Sequence, residues 1–382
     1  MKKILIVHTK YRLRGGEDIA VENETKFLKK HFQIETLTFS NETTNSLKQI
    51  ISLLLSFDKE SYDLLEEKIT TFSPDIIYIH NAWFKGSLSL FKLAKKRKIK
   101  VLVKLHNFRY YCTKTFLSSR HLKDQTFCNA CGLERESVGL FNKYYDDYFL
   151  RSLAVILFGI RYFKILQNSD IKVLVLTEFH KTFLIKLNIH KEKIFVFPNY
   201  IEYASSNEVK NKENFFIYAG RISKEKGVED LITAFISSDI KDFSLKIVGD
   251  GPLLKFLQEK YKLKNVDFLG NMKNEEVLSL INRSKGVVTA TKLLEGQPTL
   301  LCEASMLGVV SIYPKAGGIS EFFPKNYEFC FNQFDNNDLG NKMKMIENEN
   351  FINQGEINKE YLSTYLNSSK LISTFNSIIN EE

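Results

Sequence analysis

Twice over, on either side of one polar stretch, the chain alternates short apolar runs with helical patterns, and this rhythm most narrows what it can fold into. A run of four to six apolar residues bounded by turn signals reads as a strand buried on both faces, and strands separated by helices build parallel sheets. The first series places strands at residues 4–8, 34–39, 75–80, 100–105, 172–176 and 194–197. The second places them at 215–218, 244–248, 266–269, 286–290, 309–313 and 329–331. Between the two series, residues 205–214 are polar and charged, follow the Pro198-Asn199 turn signal and lack apolar periodicity, which marks an interdomain linker. The class expected is therefore α/β, as two doubly wound parallel sheets facing one another across a cleft. A length of 382 residues suits two domains, and 44% hydrophobic residues with 13% aromatic suffice for two cores.

Composition narrows the function classes. After Lys2 and Lys3 the apolar run through Val7 is too short for an export signal and suits a first strand. The longest apolar stretch, residues 152–160, falls well below the roughly twenty residues a spanning helix needs. Five cysteines without an export signal suggest reduced thiols and a cytoplasmic protein. The formal net charge of +9, with clusters at Lys92, Lys95, Lys96, Arg97 and Lys98 and over residues 10–14, favours anionic partners. Nucleic acid is disfavoured, because no helix-turn-helix, zinc-finger spacing or aromatic-basic RNA motif is present. Oligomeric state has no readable signal.

Two stretches suggest chemistry. Glu295-Gly296-Gln297-Pro298-Thr299 precedes a helix predicted over 298–307, with Pro298 in its first turn and Gly308 after its last. Glu295 would sit beside free backbone N–H groups and the positive end of the helix dipole, and Glu303 over a turn deeper could accept hydrogen bonds from a diol such as ribose. Upstream, residues 215–219 read as a buried strand ending at Gly220, and Arg221 and Lys226 would emerge at its carboxyl end. A planar guanidinium and a compact ammonium placed there suit a diphosphate. The plain alternative is a solvated charge run around a helix start.

These pieces in order, Gly220-Arg221-(x)4-Lys226-Gly227, Val248-Gly-Asp-Gly-Pro252, Glu295-(x)7-Glu303 and Gly317-Gly318-Ile-Ser-Glu321, closely resemble the retaining glycosyltransferases of family 4. The resemblance continues through Arg14-Gly15-Gly16-Glu17, Leu105-His106-Asn107-Phe-Arg109 and Val196-Phe-Pro198-Asn199. It implies a GT-B fold of two Rossmann-like domains. The amino-terminal domain, residues 1–200, would bind the acceptor, residues 201–214 would link, and residues 215–360 would bind a nucleotide sugar. A last helix, about 361–379, would cross back, so that residues 361–382 pack on the first domain. Arg221 and Lys226 would stabilise the leaving diphosphate, with no metal needed because the chain has no Asp-x-Asp pair. Glu295 would hold sugar hydroxyls beside Gly296 and Gln297, Pro298 and Thr299 would begin the helix there, Glu303 would bind ribose, and His106 would touch the donor sugar. Gly15 and Gly16, in the loop after the first strand, would let backbone N–H groups approach phosphate or sugar. Two departures stand out: Asn107 replaces the usual Asp, and Gln297-Pro298 replaces a common Phe-Gly, leaving the donor sugar open.

The implied activity moves a hexose or N-acetylhexosamine from a UDP- or GDP-sugar to a polyprenyl- or otherwise lipid-linked saccharide in polysaccharide synthesis. The alternatives are a sugar-nucleotide epimerase or hydrolase on the same scaffold, and a catalytically silent nucleotide-sugar-binding subunit. The mixed aromatic, apolar and basic residues of 144–163 suit either core packing or a helix at the inner face of the plasma membrane. Finally, Cys112-(x)15-Cys128-(x)2-Cys131 matches three quarters of a structural zinc site, which His121 in the same loop could complete. Three reduced thiols in a loop are the alternative.

Overall fold

The computed structural model describes residues 1–10, 15–41, 46–113, 121–122, 125–134, 148–201, 212–262, 265–348 and 352–381. The chain divides into two compact units, Met1–Tyr200 with Ser368–Glu382, and Ile201–Asn367.

The first unit is built on strands β1 (Lys3–Lys10), β2 (Gln33–Ser40), β3 (Ile76–Asn81), β4 (Lys100–Leu105), β5 (Lys172–Val175) and β6 (Ile194–Val196). All pair in parallel, in the order β2-β1-β3-β4-β5-β6. The chain steps from β1 to β2 on one side and then returns past β1 to β3, so the winding reverses between β1 and β3. At such a reversal the connections leave the carboxyl ends in opposite directions and open a crevice. Ile4, Ile6, Tyr78, Leu102 and Leu174 bury one sheet face against the helix Gly16–Lys29 and the last helix, Ser368–Asn380.

The second unit carries β7 (Glu213–Ala219), β8 (Ser244–Val248), β9 (Val266–Gly270), β10 (Ser284–Val288), β11 (Ser311–Pro314) and β12 (Cys330–Phe331), again all parallel. Their order, β12-β11-β10-β7-β8-β9, reverses between β7 and β10. Leu245, Ile247, Val287, Val288 and Ile312 form the middle of its core.

The twelve predicted strands are all present, two of them with the expected limits, residues 100–105 and 244–248. Residues 202–211 of the predicted linker lie outside the described residues, and 213–214 begin β7 instead. The helix expected over 361–379 is two helices, Ile352–Tyr365 in the second unit and Ser368–Asn380 in the first. Side chains advance about 100° per residue on a helix, so the stripe through Leu362 and Leu366 points roughly half a turn away from that through Leu371, Phe375 and Ile378. One straight helix cannot bury both stripes on one side. The break at Asn367 lets Leu362 and Leu366 join the second core while the later stripe joins the first.

Candidate functional site

At the second unit's reversal point, the connections following β7 and β10 meet. The chain leaves β7 at Gly220, passes through the short turn Lys224–Lys226, and enters the helix Val228–Ser237 at Gly227. Gly227 has φ of +66°, and a Cβ on it would lie 2.0 Å from the Ala290 carbonyl oxygen, so only glycine lets these two connections come so close. The Lys292 N–H donates to the Glu225 carbonyl at 3.0 Å, tying the connections together. In this setting the Lys226 ammonium donates to Glu295 Oε1 at 2.6 Å, and the Thr291 hydroxyl donates to the same oxygen at 3.1 Å. Both charged side chains remain partly open to solvent, so they can exchange partners with a ligand. The Gly318 N–H, from the connection after β11, donates to the Glu295 carbonyl at 2.8 Å and fixes the backbone beneath it. Arg221 projects an exposed side chain from the same loop as Lys226, while its carbonyl accepts the Tyr218 hydroxyl at 2.9 Å.

The helix expected over 298–307 spans Thr299–Met306, with Pro298 as its N-cap rather than in its first turn, and Gly308 follows with φ of +67°. Gly296 and Gln297 are buried at its mouth, and Glu303 is half-buried within it. Burial pushes the Glu303 carboxyl from its ordinary 4.5 up to about 7, against the opposing hydrogen bond of the Asn274 side chain. This group therefore titrates near neutrality, a property suited to a site rather than to a solvated helix face.

The first unit's reversal point carries a second polar group. Gly15 caps the helix Gly16–Lys29, its N–H donating to Asp18 Oδ2 at 2.9 Å, and among the described residues, its chain neighbours aside, no atom lies within 4 Å of where its Cβ would stand. Gly16 is thus the first helical residue rather than part of the loop. Asp18 also holds His8 Nε2 at 2.8 Å, with both side chains buried. His106, directly after β4, places Nε2 3.0 Å from His80 Nδ1, and the two rings stack at 5.3 Å. Below them Glu24 accepts the Tyr78 hydroxyl at 2.6 Å and pairs with the Lys104 ammonium, while His80 Nε2 lies 3.9 Å from its carboxylate. Burial, then the charges of neighbouring rings and Lys104, holds His80 well below the ordinary imidazole range, and burial followed by Lys104 does the same for His106. Both rings are neutral at pH 7, so one donates and the other accepts across the 3.0 Å contact. Asn107 donates to Glu17 Oε2 at 3.3 Å.

The glycosyl transferases group 1 family matches residues 199–364, which take in the second unit up to its last three residues. The second unit is a glycosyl transferases group 1 domain. Solved glycosyltransferase structures share the fold over the whole chain. Sucrose-phosphate synthase from Thermosynechococcus elongatus matches with a TM-score of 0.73 at 14% identity, covering 100% of this chain and 99% of that one. Anabaena HepE, in complex with UDP and glucose, matches with a TM-score of 0.68 at 16% identity, covering 100% of each chain. The architecture is accordingly GT-B, with two Rossmann-like units. Among curated relatives, a GDP-mannose-dependent alpha-mannosyltransferase of Corynebacterium glutamicum is 38% identical over 101 residues, covering 26% of this chain. The gpi3 subunit of phosphatidylinositol N-acetylglucosaminyltransferase from Schizosaccharomyces pombe is 27% identical over 148 residues, covering 36% of this chain. The matching stretches span 23% and 32% of those two relatives' lengths.

Within the group 1 domain, the fold brings Lys226 and Glu295 into direct contact and sets Arg221, Gly220, Gly296, Gln297, Pro298, Thr299 and Glu303 on the connections around them. His106, Gly15 and Gly16 belong to the first unit. Thr291, Asp18, Glu24, His80 and Lys104 escaped the sequence reading. Lys104 carried a usable signal, since a lysine inside the apolar strand run KVLVKL must find a buried carboxylate. In the first unit too, the ligand atoms of Cys112, His121, Cys128 and Cys131 all lie within 4.8 Å of one another.

Proposed function

We propose that this chain is a retaining glycosyltransferase that moves a hexose or N-acetylhexosamine from a UDP- or GDP-sugar onto a lipid-linked saccharide, with no metal needed at the donor diphosphate. The observation that carries this reading is the Lys226–Glu295 contact of 2.6 Å at the reversal point of the group 1 domain, where open α/β sheets bind ligands. As the anomeric carbon becomes oxocarbenium-like, negative charge gathers on the departing diphosphate. Lys226 and Arg221 would stabilise that charge from one side, with the N–H groups at the start of the helix Thr299–Met306 supporting it. Lys226 can turn from Glu295 to phosphate, which frees the carboxylate to accept sugar hydroxyls while Thr291 keeps it in place. Glu303 would accept the ribose diol as an anion. In the first unit, His106 is assigned to the donor sugar by the family resemblance, and His80 would fix which of its ring nitrogens carries hydrogen.

The two curated relatives are named for N-acetylglucosamine transfer with phosphatidylinositol and for GDP-mannose, which supports this range of donors and a lipid-borne acceptor. Among the described residues no helix is long and apolar enough to cross a membrane. The helix Phe149–Asn168 buries most of its apolar residues in the first unit, which supports core packing for most of the stretch suspected of membrane contact. Residues 144–147 of that stretch lie outside the described residues. Its entrance exposes Tyr148, Phe149 and Leu150, and Ile51, Leu55 and Phe57 are exposed on and after the helix Ser46–Leu55. These side chains, with the net charge of +9, support peripheral contact with anionic lipid on the cytoplasmic face.

The test is thermal stabilisation by UDP, GDP and their sugars with EDTA present. A rise in melting temperature with one nucleotide, followed by release of that nucleotide in the presence of a lipid-linked acceptor, is expected. Turnover of the nucleotide sugar at the same rate without acceptor would favour an epimerase or hydrolase, and binding without any turnover would favour a silent subunit.

A further inference from the structure

The Cys112, His121, Cys128 and Cys131 cluster takes no part in the transfer just proposed. A tetrahedral zinc with Zn–S near 2.3 Å and Zn–N near 2.0 Å requires ligand separations of roughly 3.8 Å between sulfurs and roughly 3.5 Å between sulfur and nitrogen. Cys112 Sγ stands 3.8 Å from Cys128 Sγ, and Cys131 Sγ stands 3.5 Å from His121 Nε2. The backbone shows why Cys128 and Cys131 converge. Phe127 and Glu134 bridge as antiparallel partners, the Cys128 N–H donates to the Leu133 carbonyl at 2.9 Å, and the Gly132 N–H donates to the Cys128 carbonyl at 2.8 Å. Gly132, at φ of +79°, then turns the chain back. The two cysteines thus stand on one tight turn, as a two-residue spacer between zinc thiolates demands. Cys112, His121 and Cys128 are buried and Cys131 is half-buried, with Tyr111, Leu122, Ala130 and Leu133 around the sulfurs.

We infer that Cys112, His121, Cys128 and Cys131 form a closed structural zinc site with three thiolates and one imidazole. Four protein ligands complete the tetrahedron, so no position is left for a substrate or an activated water, and the ion is structural rather than catalytic. Its place in the fold gives it a task. Cys112 ends the short helix Arg109–Cys112 that starts three residues after His106. That helix is fixed to the body of the first unit by Tyr110, whose hydroxyl lies 2.6 Å from His180 Nε2. Thr113 packs so tightly on the helix Phe149–Asn168 that a Cβ on Gly159 would lie 2.1 Å from its hydroxyl oxygen. Zinc would fasten the excursion from Cys112 to Cys131 onto this anchored point, close to His106 in the chain, and supply the stability that the small apolar cluster around the sulfurs lacks.

The test uses the full chain, purified without chelators from zinc-supplemented medium. Elemental analysis should find one zinc per chain that survives dialysis against EDTA and is released by a mercurial that blocks thiols. After excess dithiothreitol has exchanged the mercurial off the cysteines and has itself been removed anaerobically, the metal-free protein should bind one equivalent of Co2+ with the intense visible bands of tetrahedral thiolate coordination. Cys128→Ser should weaken that binding at least tenfold while the far-ultraviolet circular dichroism stays unchanged, and His121→Cys should keep one equivalent with shifted bands. Should Cys128→Ser fail to fold, the His121→Cys spectrum alone still reports whether residue 121 ligates. Zinc far below one per chain together with no cobalt bands, a Cys112–Cys128 disulfide in the freshly purified chain, or cobalt bands indifferent to substitution at 121 would each overturn the assignment.

Discussion

Lys104 and Glu24 illustrate how single residues set the first unit's architecture. Both side chains are fully buried, and the carboxylate also accepts the Tyr78 hydroxyl. Removing one partner strands the other charge in an apolar interior, so Lys104→Met should lower unfolding free energy by about 3–5 kcal/mol in urea titrations. Lys104→Met combined with Glu24→Leu should recover much of that loss, because neither charge then remains. A second residue with a measurable signature is Glu303. Its folded value of about 7 exceeds the ordinary 4.5, so the folded chain holds this proton more tightly than the unfolded one. Stability from this group is therefore complete below pH 4.5 and is lost as pH rises through 7, by up to the order of 3 kcal/mol. Glu303→Gln should abolish that slope in unfolding measured from pH 5 to 8. If the anion binds ribose, nucleotide-induced stabilisation of the parent should weaken from pH 8 to pH 6 while that of the variant stays flat. Lys226→Ala addresses the transition state directly: turnover should fall about 10²–10³-fold with the donor KM little changed. A matching rise in KM at constant turnover would instead make Lys226 a binding residue only.

At the scale of elements, the site depends on how closely two connections approach. Gly227→Ala adds a methyl group where the Ala290 carbonyl oxygen would be 2.0 Å away and forces a left-handed φ on a residue with a side chain. Strain alone costs about 1–3 kcal/mol, and relief of the clash must separate the loops that carry Lys226 and Glu295. The expected outcome is a lower melting temperature together with loss of nucleotide-induced stabilisation, and a variant that kept full stabilisation would show that the approach is not needed for binding. Elements were also where the sequence was most readable. Strands β4 and β8 coincide with their predicted limits, each being an apolar run interrupted by one lysine, Lys104 or Lys246, and stopped by His106 or Gly249. β10 lies two residues ahead of its predicted limits, whereas β11 starts two residues late and ends one late, since Val309 is buried ahead of it and burial alone does not fix where a ladder begins. The Glu295–Glu303 stretch gave its helix to within one residue at each end because proline and glycine punctuate it.

Across the whole molecule, the first unit closes with residues that come last in the chain. Phe375 is fully buried and packs against Phe32, Phe197 and Tyr78, with ring centroids 5.2–5.6 Å apart. Phe375→Ala should therefore destabilise the first unit by about 3–5 kcal/mol, and calorimetry should show its transition moving to lower temperature while that of the nucleotide-stabilised second unit stays in place. Movement of both by the same amount would mean that the units unfold as one. The sequence by itself determined the α/β class, the two six-strand series and the identity of Arg221, Lys226, Glu295, Glu303 and His106 as candidates, because apolar period, glycine, proline and local motif are all properties of neighbouring residues. Only the tertiary structure decided that Lys226 meets Glu295 and Thr291, that His80 stacks on His106 above a buried Glu24–Lys104 pair, and that His121 joins three cysteines. Those partners lie between 4 and 80 positions apart, and distant ones are brought together by the order of parallel strands rather than by any local pattern.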